Sequence, residues 1–281
     1  MQYKEIVIKT HKPNIITKKD FRLLILSDLH CGHYVGLTHP DFHGKFIIND
    51  VAKHNKLVRI EKELWQFFED EINSIKPIQI CVVNGDAIDG KDERWGGNEL
   101  ITTDRDKQIC IAKKAIDHVG ANHNVFTFGT PYHTGKEEDW EEVLAREYKA
   151  KIGAHEWLDI NGRIFDIKHS IGSYSSPLGR FSPLARERVW SALWQERNLT
   201  PRSDFIIRSH VHYFSKIEDS EFTAITTPAL QGMGTKFGSR KCSGLIDFGF
   251  IHFDIKANGD VTMVKHIAKL ESQIASTTVI S

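Results

Sequence analysis

Three observations in this sequence of 281 residues predict an α/β protein, a sheet of buried strands covered by helices or by a second sheet. Short, continuous apolar runs occur at Leu23-Leu24-Ile25-Leu26 and around Ile80-Cys81-Val82-Val83, the pattern of strands buried on both faces. Between and after them, apolar residues recur at helical spacing. Each buried run then empties into polar residues capable of chemistry, Asp28 and His30 after the first and Asp86 after the second.

Taken in order, residues 4–9 (Lys-Glu-Ile-Val-Ile-Lys) read as a short opening strand, and Pro13-Asn14 as a turn before a strand at 21–27. Asp28 and His30 are two apart, so on an extended backbone both side chains leave one face. That is half of a metal site, or a turn-capping Asp beside a loop His. The stretch 34–54 is irregular, with Gly36, His39, Pro40, His43 and Gly44, and its length suggests a functional loop. Leu57, Ile60, Leu64, Phe67, Phe68, Ile72 and Ile75 predict an amphipathic helix that stops before Pro77.

A strand at 78–83 follows, ending in Asn84-Gly85-Asp86-Ala87-Ile88-Asp89-Gly90; Trp95-Gly96-Gly97 beyond it is a substrate wall or a surface turn. A helix is expected from Asp104 to Val119 and a strand at Val125–Phe128, which leads into Gly129-Thr130-Pro131-Tyr132-His133-Thr134-Gly135. Thr134 is positioned to cap the next helix, whose apolar face is Trp140, Val143, Leu144 and Tyr148. From about residue 155 strands come in succession. Ile164–Lys168 delivers His169; Ser182-Pro183 reads as an N-cap opening a helix with Val189, Trp190, Leu193 and Trp194; Phe205–Ser209 delivers His210 and His212. The segments near 221–227, 246–255 and 260–266 read as antiparallel strands, and the polar tail after Ala268 as frayed.

Composition is that of an ordinary globular chain, 40% hydrophobic and 26% charged, and one catalytic domain over 1–268 is expected, with 269–281 as the tail. Lys+Arg and Asp+Glu balance at 37 each, so no global field recruits nucleic acid or an anionic membrane. Cys31, Cys81, Cys110 and Cys242 form no CxxC pair, which argues against a zinc knuckle or a disulfide framework. With no apolar leader and no run near the ~20 residues of a membrane span, the expected location is cytoplasmic. Fifteen histidines without a tract leave room for ligands.

Five strands thus end in Asp28 and His30, in Asp86, in His133, in His169, and in His210 and His212. Parallel strands present their C-terminal ends along one edge, where α/β sheets bind ligands. Imidazoles with carboxylates make a mixed N/O set that suits Mn, Fe, Zn, Ni or Co. Two such ions about 3.5 to 4 Å apart share a bridging carboxylate and activate water, which makes a phosphoester the natural substrate.

Asp28-Leu29-His30, Gly85-Asp86-Ala87-Ile88-Asp89, Gly129 to His133, Lys168-His169-Ser170 and Ser209-His210-Val211-His212, in this order over roughly residues 22–214, resemble the motifs of the calcineurin-like metallophosphoesterases. The resemblance implies a two-sheet β sandwich flanked by helices and two divalent ions, manganese foremost. Asp28, His30 and His212 would hold the first metal, Asp86 would bridge, and His169 and His210 would hold the second. The third motif departs from the family's Gly-Asn-His: Thr130 stands where Asn is expected, and two extra residues precede His133. Asn122-His123 matches by letters but precedes its strand. His133 therefore inherits the catalytic role, and Thr130 could supply an oxygen to the second metal, with Asn84 a weaker substitute.

Arg180, with Arg186 and Arg188, and separately Lys236, Arg240 and Lys241, are candidates to meet phosphates, unless they are solvated helix faces. The expected function is metal-dependent hydrolysis of a phosphate mono- or diester, with a nucleotide or nucleic acid as the narrower substrate. A binding scaffold that keeps the fold without catalysis is the competing expectation. The oligomeric state is left open.

Overall fold

The computed structural model describes residues 19–93, 96–135, 139–173, 176–233 and 246–271, with 274, 277 and 279. The readings on 4–9, Trp95, Lys236, Arg240 and Lys241 lie outside these residues.

Leu23 to Leu26 are wholly buried because β1 (Phe21–Leu26) lies between two apolar layers. Leu24 and Leu26 face a core shared with Leu64, Phe68, Ala112 and Ile116 of the covering helices. Leu23 and Ile25 point the other way, onto Phe165, Ile167, Ile207 and Ile225 of a second sheet. The period-2 alternation of a strand therefore reads here as continuous hydrophobicity, since both faces exclude water.

The remaining strands are β2 (Ile80–Asn84), β3 (His123–Thr127), β4 (Lys151–Gly153), β5 (Glu156–Ile160), β6 (Arg163–Ile167), β7 (Phe205–Arg208), β8 (Ser215–Glu218), β9 (Thr223–Thr226), β10 (Gly249–Ile255) and β11 (Val261–Ile267). One sheet runs β11-β10-β1-β2-β3-β4 and the other β5-β6-β7-β9-β8. Strands β1 to β4 are parallel, as are β6, β7 and β9. This is the two-sheet, helix-flanked α/β architecture expected.

The helices are α1 (Val51–Ile75), α2 (Arg105–Val119), the short α3 (Pro131–Thr134), α4 (Trp140–Glu147) and α5 (Ser182–Glu196). Asp50 caps α1 by accepting the Lys53 N–H (3.0 Å), and Asp104 caps α2. Three readings need correction. Thr134 does not cap α4; Asp139 does, and the Thr134 hydroxyl instead donates to Asp139 Oδ2 (3.1 Å). Ser182 lies inside the first turn of α5, whose N-cap position is Phe181, without a side-chain bond. Strand β9 is antiparallel only to β8 and parallel to β7, because the β7–β8–β9 path returns to the same sheet. At the head of the tail Leu270 is buried in the helix-side core and the Glu271 N–H is on Glu63 Oε1, while Ile274 and Val279 are exposed.

Glu61 on α1 is fully buried beneath the 38–50 loop. Its Oε2 accepts the Gly44 N–H (2.9 Å), while Oε1 has no partner among the described residues. Burial pushes its carboxyl up to about 7. The folded state therefore holds the proton more tightly than the unfolded chain, so stability is intact below about 4.5 and is lost as pH rises through about 7. Glu61→Gln is expected to stabilise the protein by roughly 1 to 3 kcal/mol at pH 8 and to change little at pH 4, measured by urea unfolding at both values.

Candidate metal centre

Three of the parallel strands that end at the junction of the sheets, β1, β2 and β7, leave in an unusual backbone conformation. Asp28 (φ 52°), His30 (45°), Asp86 (52°), His210 (71°) and His212 (56°) all occupy the left-handed region, which costs of order 1–3 kcal/mol for a strained residue and marks functional sites. The convergence of Asp28 and His30 is thus not the alternation of an extended strand. It comes from two tight reversals, held because the β1 exit keeps pairing with the β2 exit: Asp28 N–H to Gly85 O (3.0 Å), His30 N–H to Asp86 O (3.0 Å) and Cys31 N–H to Ala87 O (3.1 Å).

Two glycines make the approach possible. A Cβ on Gly85 (φ 75°) would collide with the His169 ring, and one on Gly129 with the Asp86 backbone and carboxylate.

Three groups of potential ligand atoms result, each within 4.8 Å: Asp28, His30 and His212; His30, Asp86 and His133; Asp86, His169 and His210. Asp86 belongs to two of them. His212 Nε2 lies 3.1 Å from Asp28 Oδ1 and 3.3 Å from His30 Nε2. His169 Nε2 lies 3.1 Å from Asp86 Oδ2. Thr130 contributes its N–H to Asp86 Oδ1 (2.6 Å) and its hydroxyl to Asp86 Oδ2 (3.1 Å), and that hydroxyl stands 3.3 Å from His210 Nδ1 and 3.5 Å from His169 Nε2.

Two imidazoles are aimed from behind. His30 donates Nδ1–H to Asp89 Oδ1 (2.7 Å) and His169 donates Nδ1–H to Asn84 O (2.8 Å), so each presents Nε2 to the centre. His133 is tied through Nδ1 to Asp89 O (2.9 Å), and its ring meets the His30 ring edge-on at 4.6 Å. Beneath them a buried polar belt joins the sheets. The Thr227 hydroxyl is 2.7 Å from both Ser27 Oγ and Ser209 Oγ; Asn84 Nδ2 donates to Ser209 Oγ (2.6 Å) and accepts from Thr127 Oγ1 at its Oδ1 (2.6 Å).

Burial would raise the Asp28 carboxyl, but His212 and His169 outweigh it and hold it at about 2. Asp86, opposed in the same way by burial and stabilised by His169, lies well below the usual carboxylate range. His169, despite burial, is lifted to about 10 by Asp86 and Asp28. The carboxylates thus remain ionised and call for positive charge. Asp28 Oδ1 is buried without a hydrogen bond, His212 being near but outside hydrogen-bond geometry. An orphaned carboxylate oxygen among aimed imidazole nitrogens, with no thiolate, fits a divalent cation of intermediate softness.

Asp28, His30, Asp86, Thr130, His133, His169, His210 and His212 are therefore brought together. The Arg180 guanidinium lies 4.1 Å from the centroid of Tyr213, the residue after His212. Arg188 is committed elsewhere, over Phe222 (4.4 Å) and 3.8 Å from Glu221. Asn84 is spent on the belt and on Lys168 O, so it has no side-chain atom for a metal. His123 opens β3, at the strand end opposite to the site. His33 accepts the Val35 N–H (3.1 Å) and is kept neutral by burial, its pKa held at about 4.

The sequence reading missed Glu141. From the first turn of α4 its carboxylate accepts the N–H of Ala87 (2.8 Å) and of Gly129 (2.5 Å), fixing the residues next to Asp86 and Thr130. Nothing in the sequence separates it from the exposed acids of α4; only the packing of α4 on the strand ends reveals it. The Tyr132 hydroxyl on Asp92 Oδ1 (2.8 Å) was missed likewise.

Two facing sheets thus bring their parallel strand ends together at these carboxylate and imidazole clusters. No protein-family model and no curated protein matches the sequence. Solved structures with a similar course include vacuolar protein sorting 29 from Cryptosporidium parvum, at 10% identity over 89% of this chain and 100% of that one, TM-score 0.46. A phosphodiesterase from an archaeon is 13% identical over 87% and 99% of the two chains, TM-score 0.44. A predicted phosphoesterase from Streptococcus pneumoniae is 8% identical over 88% and 98%, TM-score 0.36. Such similarity concerns the course of the chain alone, and the site is read from its own residues.

Glu141→Gln would leave one of the two amide donors facing an NH2 group. Metal affinity is expected to fall about tenfold by isothermal titration calorimetry, as for other groups that hold ligand loops, with a loss of roughly 1–3 kcal/mol in unfolding free energy.

Proposed function

We propose that the protein is a metal-dependent phosphoesterase that hydrolyses a phosphate mono- or diester. The observation that supports this most is the sharing of Asp86 between the His169–His210 group and the His30–His133 group, with Asp28 and His212 completing a neighbouring set. In this reading Asp28, His30 and His212 would hold one divalent ion, His169, His210 and the Thr130 oxygen a second, with Asp86 available to both; manganese suits the set, as do iron, zinc, nickel and cobalt. Ions held there supply Lewis-acid polarisation of the phosphoryl group and lower the pKa of water to near neutrality.

The chain's own residues do the rest. Asp89 and the Asn84 carbonyl hold the Nδ1 sides of His30 and His169 away from the centre, so both Nε2 atoms face inward. Burial of Asp28 and Asp86 keeps water from screening the charge that develops on phosphorus-bound oxygens. His133, oriented by its Nδ1 bond to Asp89 O, carries on Nε2 the proton that passes to the leaving oxygen. Arg180, its guanidinium 4.1 Å from the Tyr213 ring centroid, is the cation that meets a substrate phosphate. A nucleotide or nucleic-acid diester fits this arrangement, as do smaller esters.

Manganese-loaded protein is expected to hydrolyse an aryl phosphomonoester or a bis-aryl phosphodiester, with Asp86→Asn at least about a hundredfold slower and His133→Asn slower by roughly 10²–10³ in kcat at unchanged metal content. No turnover of either ester above the Asp86→Asn level, or protein that takes up no metal by elemental analysis, would leave the non-catalytic scaffold as the better description. Thr130→Val keeps the shape and removes the hydroxyl; the weaker of the two metal-binding steps is expected to lose about tenfold in affinity by titration calorimetry.

A further inference from the structure

The two imidazoles of the Asp86, His169 and His210 group sit on the exits of different strands, β6 and β7, so their separation depends on how those exits are held. The backbone supplies two bonds, Lys168 N–H to Ile207 O (3.2 Å) and Ser209 N–H to His169 O (2.8 Å). Buried charge supplies the rest. Arg208, wholly out of water at the end of β7, donates through Nη1 to Asp166 Oδ1 (2.7 Å), Asp166 O (3.0 Å) and Ile207 O (2.8 Å). Its Nε donates to Glu187 Oε2 on α5 (2.7 Å), and the same oxygen accepts from Lys168 Nζ (3.1 Å). One carboxylate oxygen thus grips the residue before His169 and the residue two before His210.

We propose that Glu187 is a positioning residue for the His169–His210 pair: by clamping Lys168 and Arg208 it sets the gap between the two imidazoles, and so the metal affinity of their group, without touching metal or substrate. The proposal rests on reading that group as a metal site. The network is a poor device for stability alone. Arg208 leaves Nη2 buried without a partner among the described residues, and a buried ion pair often stabilises no better than apolar packing. What such a pair supplies is fixed geometry, through charge-assisted bonds whose directions an apolar contact lacks. The Arg208 bonds also fall on the backbone of both strands, at Asp166 of β6 and Ile207 of β7, so the guanidinium spans the gap that separates the two exits.

The clamp serves one of the two groups. Asp28 and His30 leave from β1, in the other sheet, and His30 is aimed by Asp89 (2.7 Å). His212 follows His210 in the chain, yet it is fastened separately: its carbonyl accepts the Asp247 N–H (2.9 Å), and Asp247 Oδ2 accepts the Phe214 N–H (2.8 Å). Glu187 therefore stands to His169 and His210 as Glu141 stands to Asp86 and Thr130, a helix carboxylate holding the neighbours of the side chains that converge. The same contacts keep it ionised: burial raises the Glu187 carboxyl, and Arg208 and Lys168 outweigh this and bring it below its ordinary value.

The test is calorimetric titration of the metal-free full chain with manganese ions, Thr130→Val marking the step that belongs to the His169–His210 group. Glu187→Gln is expected to weaken that step about tenfold and to leave the other unchanged. Lys168→Met removes one of the two bonds at a partly exposed position. It should weaken the same step by a smaller factor, with a melting temperature within about two degrees of the parent. Where Glu187→Gln does not fold, Lys168→Met decides, and no loss in that step overturns the proposal. A merely structural ion pair would lower the melting temperature and leave both affinities alone, or lower both together; either result overturns the proposal. Uptake of no metal overturns it along with the phosphoesterase reading. Metal uptake with the selective loss, but without ester hydrolysis, overturns that reading alone and supports the role of Glu187.

Discussion

Two ionised carboxylates, Asp28 and Asp86, are buried where the sheets meet, and most of the surrounding structure answers to that fact. An isolated charge taken out of water is unfavourable by many kcal/mol unless it is paired and hydrogen-bonded. The chain offsets part of this with the imidazoles of His169 and His212 and with amide donors from Thr130 and His210. Asp28 Oδ1 is left without a hydrogen bond among the described residues. A fold that concentrates acids and imidazoles at one point, against their own desolvation, is less stable there than an apolar junction would be. Function is the reason such an arrangement persists.

The same constraint explains the backbone. An extended strand end would carry Asp28, Asp86 and His210 past one another. Left-handed turns at these residues stop each strand abruptly and turn its side chain back across the junction. They are kept by hydrogen bonds between successive exits and by the Ser27–Thr227–Ser209–Asn84–Thr127 belt, which ties the end of one sheet to the end of the other. Glu141 adds a carboxylate from the helix layer, holding the amides beside Asp86 and Thr130. The site is thereby pre-organised by elements from both sheets and from α4, and its geometry does not rest on any single loop.

Much of this was legible from strand ends alone, because an apolar run followed by Asp or His is a local pattern. Thr130 shows how far that extends. Its residue type departs from the expected Asn, yet its hydroxyl lies among Asp86, His169 and His210, where position in the fold matters more than residue identity. Asn84 shows the converse: a residue with the right atoms that the belt consumes. For α5, periodicity reports apolar residues at Val189, Trp190, Leu193 and Trp194 without saying which way they turn. Glu187, Arg208 and Lys168 decided that, through ion pairs between residues distant in sequence.

The sequence by itself determined the layered α/β class, the order of its buried strands and which of them terminate in metal-capable side chains. These follow from hydrophobic periodicity and from neighbours along the chain. The tertiary structure alone decided that β9 runs parallel to β7, that five of the clustered side chains leave through left-handed residues, that Glu141 belongs to the site and that α5 shows its apolar face to solvent. Each of these depends on which distant segment lies across the gap, and on the burial and hydrogen bonds that this segment supplies, none of which is encoded in local spacing.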